Sequence, residues 1–455
     1  MTSACAGRGR GWLHVYIETK PRELDARLFL ACCAAERGFE VLLGRQNALR
    51  RRAHRLPRAI VFEKSIDHVK TPKLERLHRL GHVLVVSDEE SQSVYTRPGR
   101  FLATRLDDRT LAMTEAYYVW GEQQREILAG GFPASAAKFR VTGSPRIDLW
   151  RPPLNAIHED AAADLRRRFG RFILLPSNFA IAIHARGRDF PLDQAEKNGN
   201  LRTEAEREWF MGAIAHGETA LAAFVDAIDA IRARFPDHAV VVRPHPSDDQ
   251  GAWRTALAGR PGCHVVYEGP VGPWLMAADA MFHHGCTTAI ESFFMGRPTV
   301  SYLPGRDPRY EDPVLNTTGP VAEDVAALLD LLARALAGAL PRDPVTEAHL
   351  HGYFDWDETR ASADRIVDDL ERIAAARGLC AAPGPVRPDH PVIGPLRRLL
   401  GRDRLRPSDP KWPGGLTDAE IDDRLALFRG RLDRFHRVAA RRLTGDGVFH
   451  ITARG

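Results

Sequence analysis

The 455-residue sequence predicts an α/β fold: two Rossmann-like doubly wound domains facing a cleft, with a C-terminal helical extension. Three observations predict it. Short β-branched runs alternate with amphipathic helical stretches, the alternation breaks at Pro152-Pro153 and starts again, and the chain turns Pro-, Arg- and Gly-rich after Gly378. A chain of this length with 44% apolar residues exceeds one ordinary core and fills two domains of common size.

Taken in order, His14–Glu18 reads as a strand, Pro21–Arg37 as a helix stopped at Gly38, and Glu40–Gly44 and Ala59–Glu63 as strands. A helix over Pro72–Leu80 leads to strands at His82–Ser87, Tyr117–Gly121 and Phe139–Gly143, which completes a first domain over residues 12–150. The second series opens with the strand Phe172–Pro176 and a long helix from Glu204 to Phe235. It continues through strands Ala239–Arg243, His264–Glu268, Ala280–His283 and Thr299–Leu303, and helices at Val321–Ala337 and Glu358–Ala376 close it, giving residues 151–377. Residues 378–455 form the extension, in which Asp418–Leu443 reads as helix.

Net charge is +5, from 64 basic and 59 acidic side chains, so a positive field has to come from local runs such as Arg50, Arg51, Arg52 and Arg55. That run is ordinarily a solvated face; its functional reading is peripheral contact with an anionic membrane or a lipid-linked acceptor. No aromatic interleaving or recognised module accompanies it, which argues against nucleic acid as a partner. The six cysteines lack CxxC spacing, which argues against a zinc site and a disulfide framework and fits a reducing cytoplasm. Neither a signal-peptide h-region nor a run of eighteen apolar residues occurs, so the expected location is cytoplasmic, at most peripheral to the inner membrane.

The strongest motif is His283-His284-Gly285-Cys286-Thr287-Thr288-Ala289-Ile290-Glu291, where a strand ends, glycine frees the backbone and two threonines open a helix. Exposed amides and hydroxyls at a helix start bind phosphate, so His284, Gly285, Thr287 and Thr288 are candidate phosphate ligands and Glu291 a candidate ribose contact. A capping box, Thr288-x-x-Glu291, would account for the Thr and Glu without any ligand. It would not account for the placement at a strand's carboxyl end, where parallel α/β sheets bind ligands.

A second motif, Arg243-Pro244-His245-Pro246, ends a buried strand with a cation and an imidazole held between prolines, making Arg243 and His245 candidates for the same anion. Ser177 and Asn178, at the first strand-to-helix turn of the second domain, are candidate substrate contacts, and His184, Arg186 and Arg188 follow in the same loop. In the first domain, carboxylates fall at strand ends or in the first helical turn: Glu18, Glu23, Asp25, Glu63, Asp88, Glu89 and Glu90. Service to the helix dipole explains Glu23 and Asp25 adequately. As general bases for an acceptor hydroxyl, Asp25 and Glu89 lead. The absence of GxGxxG after the first strand argues against a nicotinamide dinucleotide.

Together, Ile17-Glu18-Thr19-Lys20 with Arg22-Glu23-Leu24-Asp25-Ala26, Val141-Thr142-Gly143-Ser144-Pro145-Arg146-Ile147-Asp148, Arg243-Pro244-His245-Pro246 and Gly285-Cys286-Thr287-Thr288 with Glu291 resemble the bacterial surface carbohydrate biosynthesis family. Its members look like glycosyltransferases of the GT-B fold. The His-Pro pair and the hydroxyl pair are also similar to donor-phosphate motifs of bacterial sialyl- and Kdo-transferases and CDP-glycerol polymerases, with Thr-Thr here where Ser is common. The resemblance implies a CMP- or CDP-linked donor held by His245, Thr287 and Thr288, and a glycan or lipid-linked glycan acceptor on the first domain. It implies transfer of a sugar or polyol phosphate to a surface polysaccharide with no cofactor and no bound metal. Two alternatives remain at this level: a UDP-N-acetylglucosamine 2-epimerase-like enzyme, and a non-catalytic assembly partner in polysaccharide synthesis.

Overall fold

The computed structural model describes residues 9–89, 93–96, 98–197, 199, 201–312, 314–340, 344–380, 386 and 411–454. Glu90 and most of the Pro- and Arg-rich stretch 381–413 therefore lie outside the described residues. Two compact units divide the chain: Met1–Leu149 with His349–Gly455, and Trp150–Ala348.

In the first unit, numbering strands along the chain, β1 (Trp12–Ile17), β2 (Glu40–Arg45), β3 (Ala59–Glu63), β4 (Val83–Val86), β5 (Thr114–Val119) and β6 (Phe139–Val141) form a parallel array. Two further strands, β13 (Val438–Thr444) and β14 (Val448–Ala453), extend it to the order β13-β14-β2-β1-β3-β4-β5-β6. The β1 side chains are buried on both faces, as a central parallel strand between helical layers requires. One layer includes the helix Lys20–Glu36, which has Pro21 in its first turn and packs against the helix Ser362–Ala376.

In the second unit, β7 (Phe172–Pro176), β8 (Ala239–Arg243), β9 (Cys263–Val265), β10 (Ala280–His283), β11 (Thr299–Tyr302) and β12 (Val321–Ala322) run parallel in the order β12-β11-β10-β7-β8-β9. The chain winds outward from β7 in one direction, then returns to start the other half at β10, so the switch point lies between β7 and β10. The 31-residue helix Glu204–Arg234 covers this sheet and begins with a full capping box, Thr203 with Glu206. Ala220, Phe224, Ala227, Ile228 and Ile231 face inward at helical spacing and pack with Ile173, Val240 and Phe282.

Three expectations change. The helix Ser362–Ala376, expected to close the second domain, belongs to the first unit, where the Asp148 carboxylate accepts from the amides of Ser362 (2.9 Å) and Ala363 (3.0 Å). The extension is not helical throughout: its helix spans Asp418–Leu432, stops at Asp433 with φ 50, and gives way to the β13–β14 hairpin, whose β14 pairs antiparallel with β2. Val321–Ala337 splits into a strand and the helix Val325–Leu336 because the Asp324 side chain caps it by accepting from Ala327 N at 2.8 Å.

The basic run also reads differently once folded. Arg50 is buried and holds Glu63 through both carboxylate oxygens at 2.7 Å, and Arg51 and Arg52 converge on Asp446 at 3.0 and 2.8 Å. Arg50 and Arg52 are thus spent on buried ion pairs, whereas Arg51, though paired with Asp446, and Arg55 stay exposed. No helix among the described residues is long and apolar enough to cross a membrane. Cys32, Cys33, Cys263 and Cys286 are free thiols, whereas Cys380 is disulfide-bonded, a bond that the spacing of the cysteines does not suggest.

Candidate functional site: three loops at one sheet edge

The carboxyl ends of β7, β8 and β10 carry the three motifs of the second unit. Register brings them side by side: Pro176 pairs with Arg243, and Leu174 with Met281. Across the switch point the Asn178 side-chain amide donates to the Gly285 carbonyl at 3.0 Å, which ties the β7 loop to the β10 loop. Gly285 adopts φ +54, a left-handed conformation costly for residues with a Cβ, and its amide donates to Asn316 Oδ1 at 3.2 Å. Asn178 and Thr287 are exposed at this edge, and Thr287 is the N-cap of the helix Thr288–Phe294 without a side-chain capping bond. The N-cap is thus Thr287 and not Thr288, so the expected box of Thr288 with Glu291 does not form; the Thr288 hydroxyl lies 3.3 Å from Cys286 Sγ, and Glu291 is buried.

On the other flank, His245 is exposed and its Nδ1 accepts from Ser247 N at 3.1 Å. An imidazole nitrogen that accepts an amide carries no proton, so the neutral ring has its N–H on Nε2. Ser177 is buried, and its hydroxyl donates to Asp248, which also accepts from Phe179 N at 3.4 Å. Burial raises the Asp248 pKa against these stabilising contacts and the nearby His245. Ser177 is therefore placed as a loop anchor.

Arg243 has a comparable role. Its guanidinium is buried and donates to the carbonyls of Glu268 (2.7 Å) and Gly269 (2.5 Å), between the rings of Tyr267 and Trp274. Burial lowers its pKa. The two paired histidines differ from the exposed one: burial pulls His283 down to about 3 and His284 to about 4, so both rings are neutral at pH 7. His283 contacts Ser301 Oγ at 3.2 Å, and His284 stacks on Phe179 at 5.7 Å with its Nε2 buried and unbonded among the described residues.

In the first unit, Asp25 meets Arg424 Nε at 2.5 Å, and Glu89 is buried, 2.7 Å from Arg27 Nη2 and 3.6 Å from Arg146 Nη1. Both carboxylates are thus ion-paired. Glu23, at the start of the helix, is fully buried; its oxygens accept from the amides of Glu18 (2.8 Å) and Thr19 (3.1 Å), and burial with Glu89 nearby raises its pKa. Against burial, hydrogen bonds and ion pairs with Lys411 and Lys64 hold Glu18 down to about 2. Lys411 (2.5 Å from Glu18) comes from the C-terminal segment, and Trp412 Nε1 donates to the Glu18 carbonyl at 2.8 Å. Sequence reading assigned that segment no chemistry, because nothing local pairs a lysine with a glutamate nearly four hundred residues away. No three His, Cys, Asp or Glu side chains among the described residues group so as to hold a metal ion.

No protein-family model matches the chain, and no curated protein matches it. Among solved structures, a variant of the wall teichoic acid polymerase TagF soaked with CDPG is similar over 81% of this chain and 89% of its own, at 11% identity and TM-score 0.51. UDP-N-acetylglucosamine 2-epimerases match at lower scores. The Neisseria meningitidis enzyme, bound to UDP-GlcNAc, covers 79% of this chain and 99% of its own at 11% identity and TM-score 0.45; the Rickettsia bellii enzyme covers 81% and 96% at 9% and 0.43. The chain has a GT-B-like fold built of two Rossmann-like units.

Proposed function

We propose that the protein is a glycosyltransferase that moves a sugar or polyol phosphate from a CMP- or CDP-linked donor to a bacterial surface polysaccharide, without a bound metal. One observation carries this reading: the Asn178–Gly285 bond locks the β7 and β10 loops together at the switch point, with Thr287 exposed there and His245 exposed on the adjoining β8 loop. Parallel α/β sheets bind ligands at that point, and the groups present are hydrogen-bond donors suited to phosphate. The fold shared with a polymerase solved with CDPG supports the same substrate class.

In this mechanism the donor's phosphate leaves as the glycosyl or phosphoryl bond breaks and the acceptor oxygen attacks. His245 Nε2–H and the Thr287 hydroxyl stabilise the charge that develops on the leaving oxygen. Glu89 and Asp25, the candidates for the acceptor's proton, are held in the first unit by Arg27 and Arg424. The test is to incubate the purified protein with CMP- and CDP-linked donors, with and without a glycan acceptor. Acceptor-dependent release of CMP or CDP is expected. Epimer formed from UDP-N-acetylglucosamine without acceptor would identify an epimerase, and failure of every nucleotide to raise the melting temperature would leave only an assembly partner.

A further inference from the structure

His184 stands in the loop after β7, with Ala185 and Arg186 behind it, and it repeats the geometry of His245. Its Nδ1 accepts from the amide two residues on, Arg186 N, at 3.0 Å; His245 Nδ1 accepts from Ser247 N at 3.1 Å. The same lock puts the proton of each neutral ring on Nε2, on the side away from its own loop.

The two loops are joined as a short antiparallel ladder. Ala185 N donates to Ser247 O at 2.8 Å, Asp249 N donates to Ile183 O at 2.7 Å, and His184 bridges to Asp248. His245 opens the turn that ends at Asp248, whose amide donates back to the His245 carbonyl at 2.9 Å. The bridge sets His184 opposite Asp248 and the turn sets His245 three positions before it, so both imidazole-bearing residues stand on one pair of joined loops. Asp248 itself is 1% exposed, and one of its oxygens takes the Ser177 hydroxyl and the Phe179 amide.

The plain alternative is that His184 packs. Its ring does lie 4.4 Å from Phe190, but that contact engages the ring face, and no bond to Nε2 is found among the described residues. A backbone ladder that joins the two imidazole-bearing loops at the buried Asp248 is more framework than packing alone calls for.

We propose that His184 is a second imidazole donor, acting with His245, to the diphosphate of the nucleotide-linked donor. The assignment rests on the function proposed above and deepens it: it makes the substrate a nucleoside diphosphate derivative, whose two phosphate groups offer each ring an oxygen on a different phosphorus. Burial and Arg186 lower the His184 pKa against the opposing pull of Asp248, so the ring is a neutral donor at pH 7.

The test is calorimetric titration of the full chain with cytidine, CMP and CDP, and with UMP and UDP in parallel. His184→Phe keeps the packing on Phe190 and removes the donor; His184→Gln offers a nitrogen donor at the place of Nε2. Wild type is expected to bind CDP more tightly than CMP. His184→Phe should weaken CDP about tenfold, as loss of a hydrogen bond to a charged group does, leave cytidine within about twofold, and be partly rescued in His184→Gln. If wild type binds CDP and His184→Phe binds it equally while His245→Ala does not, His184 only packs and the assignment falls alone. If wild type binds no nucleotide at all, the proposed function falls and takes this assignment with it.

Discussion

Gly285 carries the geometry of the candidate site in one residue: its carbonyl faces Asn178, its amide faces Asn316, and its φ of +54 lets both happen. Gly285→Ala should cost roughly 1–2 kcal/mol of stability through left-handed strain and should weaken nucleotide binding further by shifting Thr287. A chemical melt and a CDP titration on the same sample read the two effects, and an unchanged midpoint would show that the loop tolerates a Cβ. His245→Ala should lower turnover or donor affinity at least about tenfold if it touches the phosphate, whereas wild-type kinetics would remove it from the site. At this scale the sequence marks which residues stand at strand ends but not where their side chains turn. His245, Asn178 and Thr287 are exposed as a ligand site needs. Arg243 and Ser177, singled out by the same logic, spend their donors on Glu268, Gly269 and Asp248, because a buried guanidinium or hydroxyl must be satisfied internally.

At the scale of elements, the C-terminal hairpin is the least legible feature and among the most consequential. Val438–Thr444 reads Val-Ala-Ala-Arg-Arg-Leu-Thr, a run rich in good helix formers, so local propensity favours helix. Pairing of β14 with β2 overrides it: Phe449 sits opposite Leu43 and is 1% exposed, and Phe435, fully buried, packs edge-on against Phe29 and tilted against Phe428. Phe435→Ala should therefore destabilise the first unit by about 3–5 kcal/mol. A loss under about 1 kcal/mol in urea denaturation would show the segment to be peripheral. The central strands were legible because parallel strands buried on both faces read as apolar runs, with Pro176 closing β7 and Pro244 following β8; β3, β7, β8 and β10 begin and end where the sequence places them. What escaped is pairing over hundreds of residues, such as Lys411 with Glu18, which no local pattern encodes.

For the molecule as a whole, acid should act through buried histidines in both units, His14 and His82 in the first and His283 and His284 in the second. His283 and His284 have folded pKa values of about 3 and 4, against an ordinary 6.5, so between those limits the unfolded chain binds more protons than the folded one. Stability of the second unit is therefore full above pH 6.5 and lost as pH falls, on the order of 2 kcal/mol per histidine by pH 5. Glu18, held at about 2 against 4.5, contributes stability that persists above 4.5 and declines only below it. Thermal melts at about pH 7 and about pH 5 should show a large drop in the second unit that His283→Gln reduces; equal melts at both values would contradict the buried neutral pair. The central claim, that loops after β7, β8 and β10 grip one phosphate group, is tested most directly by a crystal structure of the protein saturated with CDP. The expected density places phosphate oxygens within hydrogen-bond distance of His245 Nε2 and the Thr287 hydroxyl; nucleotide bound elsewhere, or contacting neither residue, would contradict it.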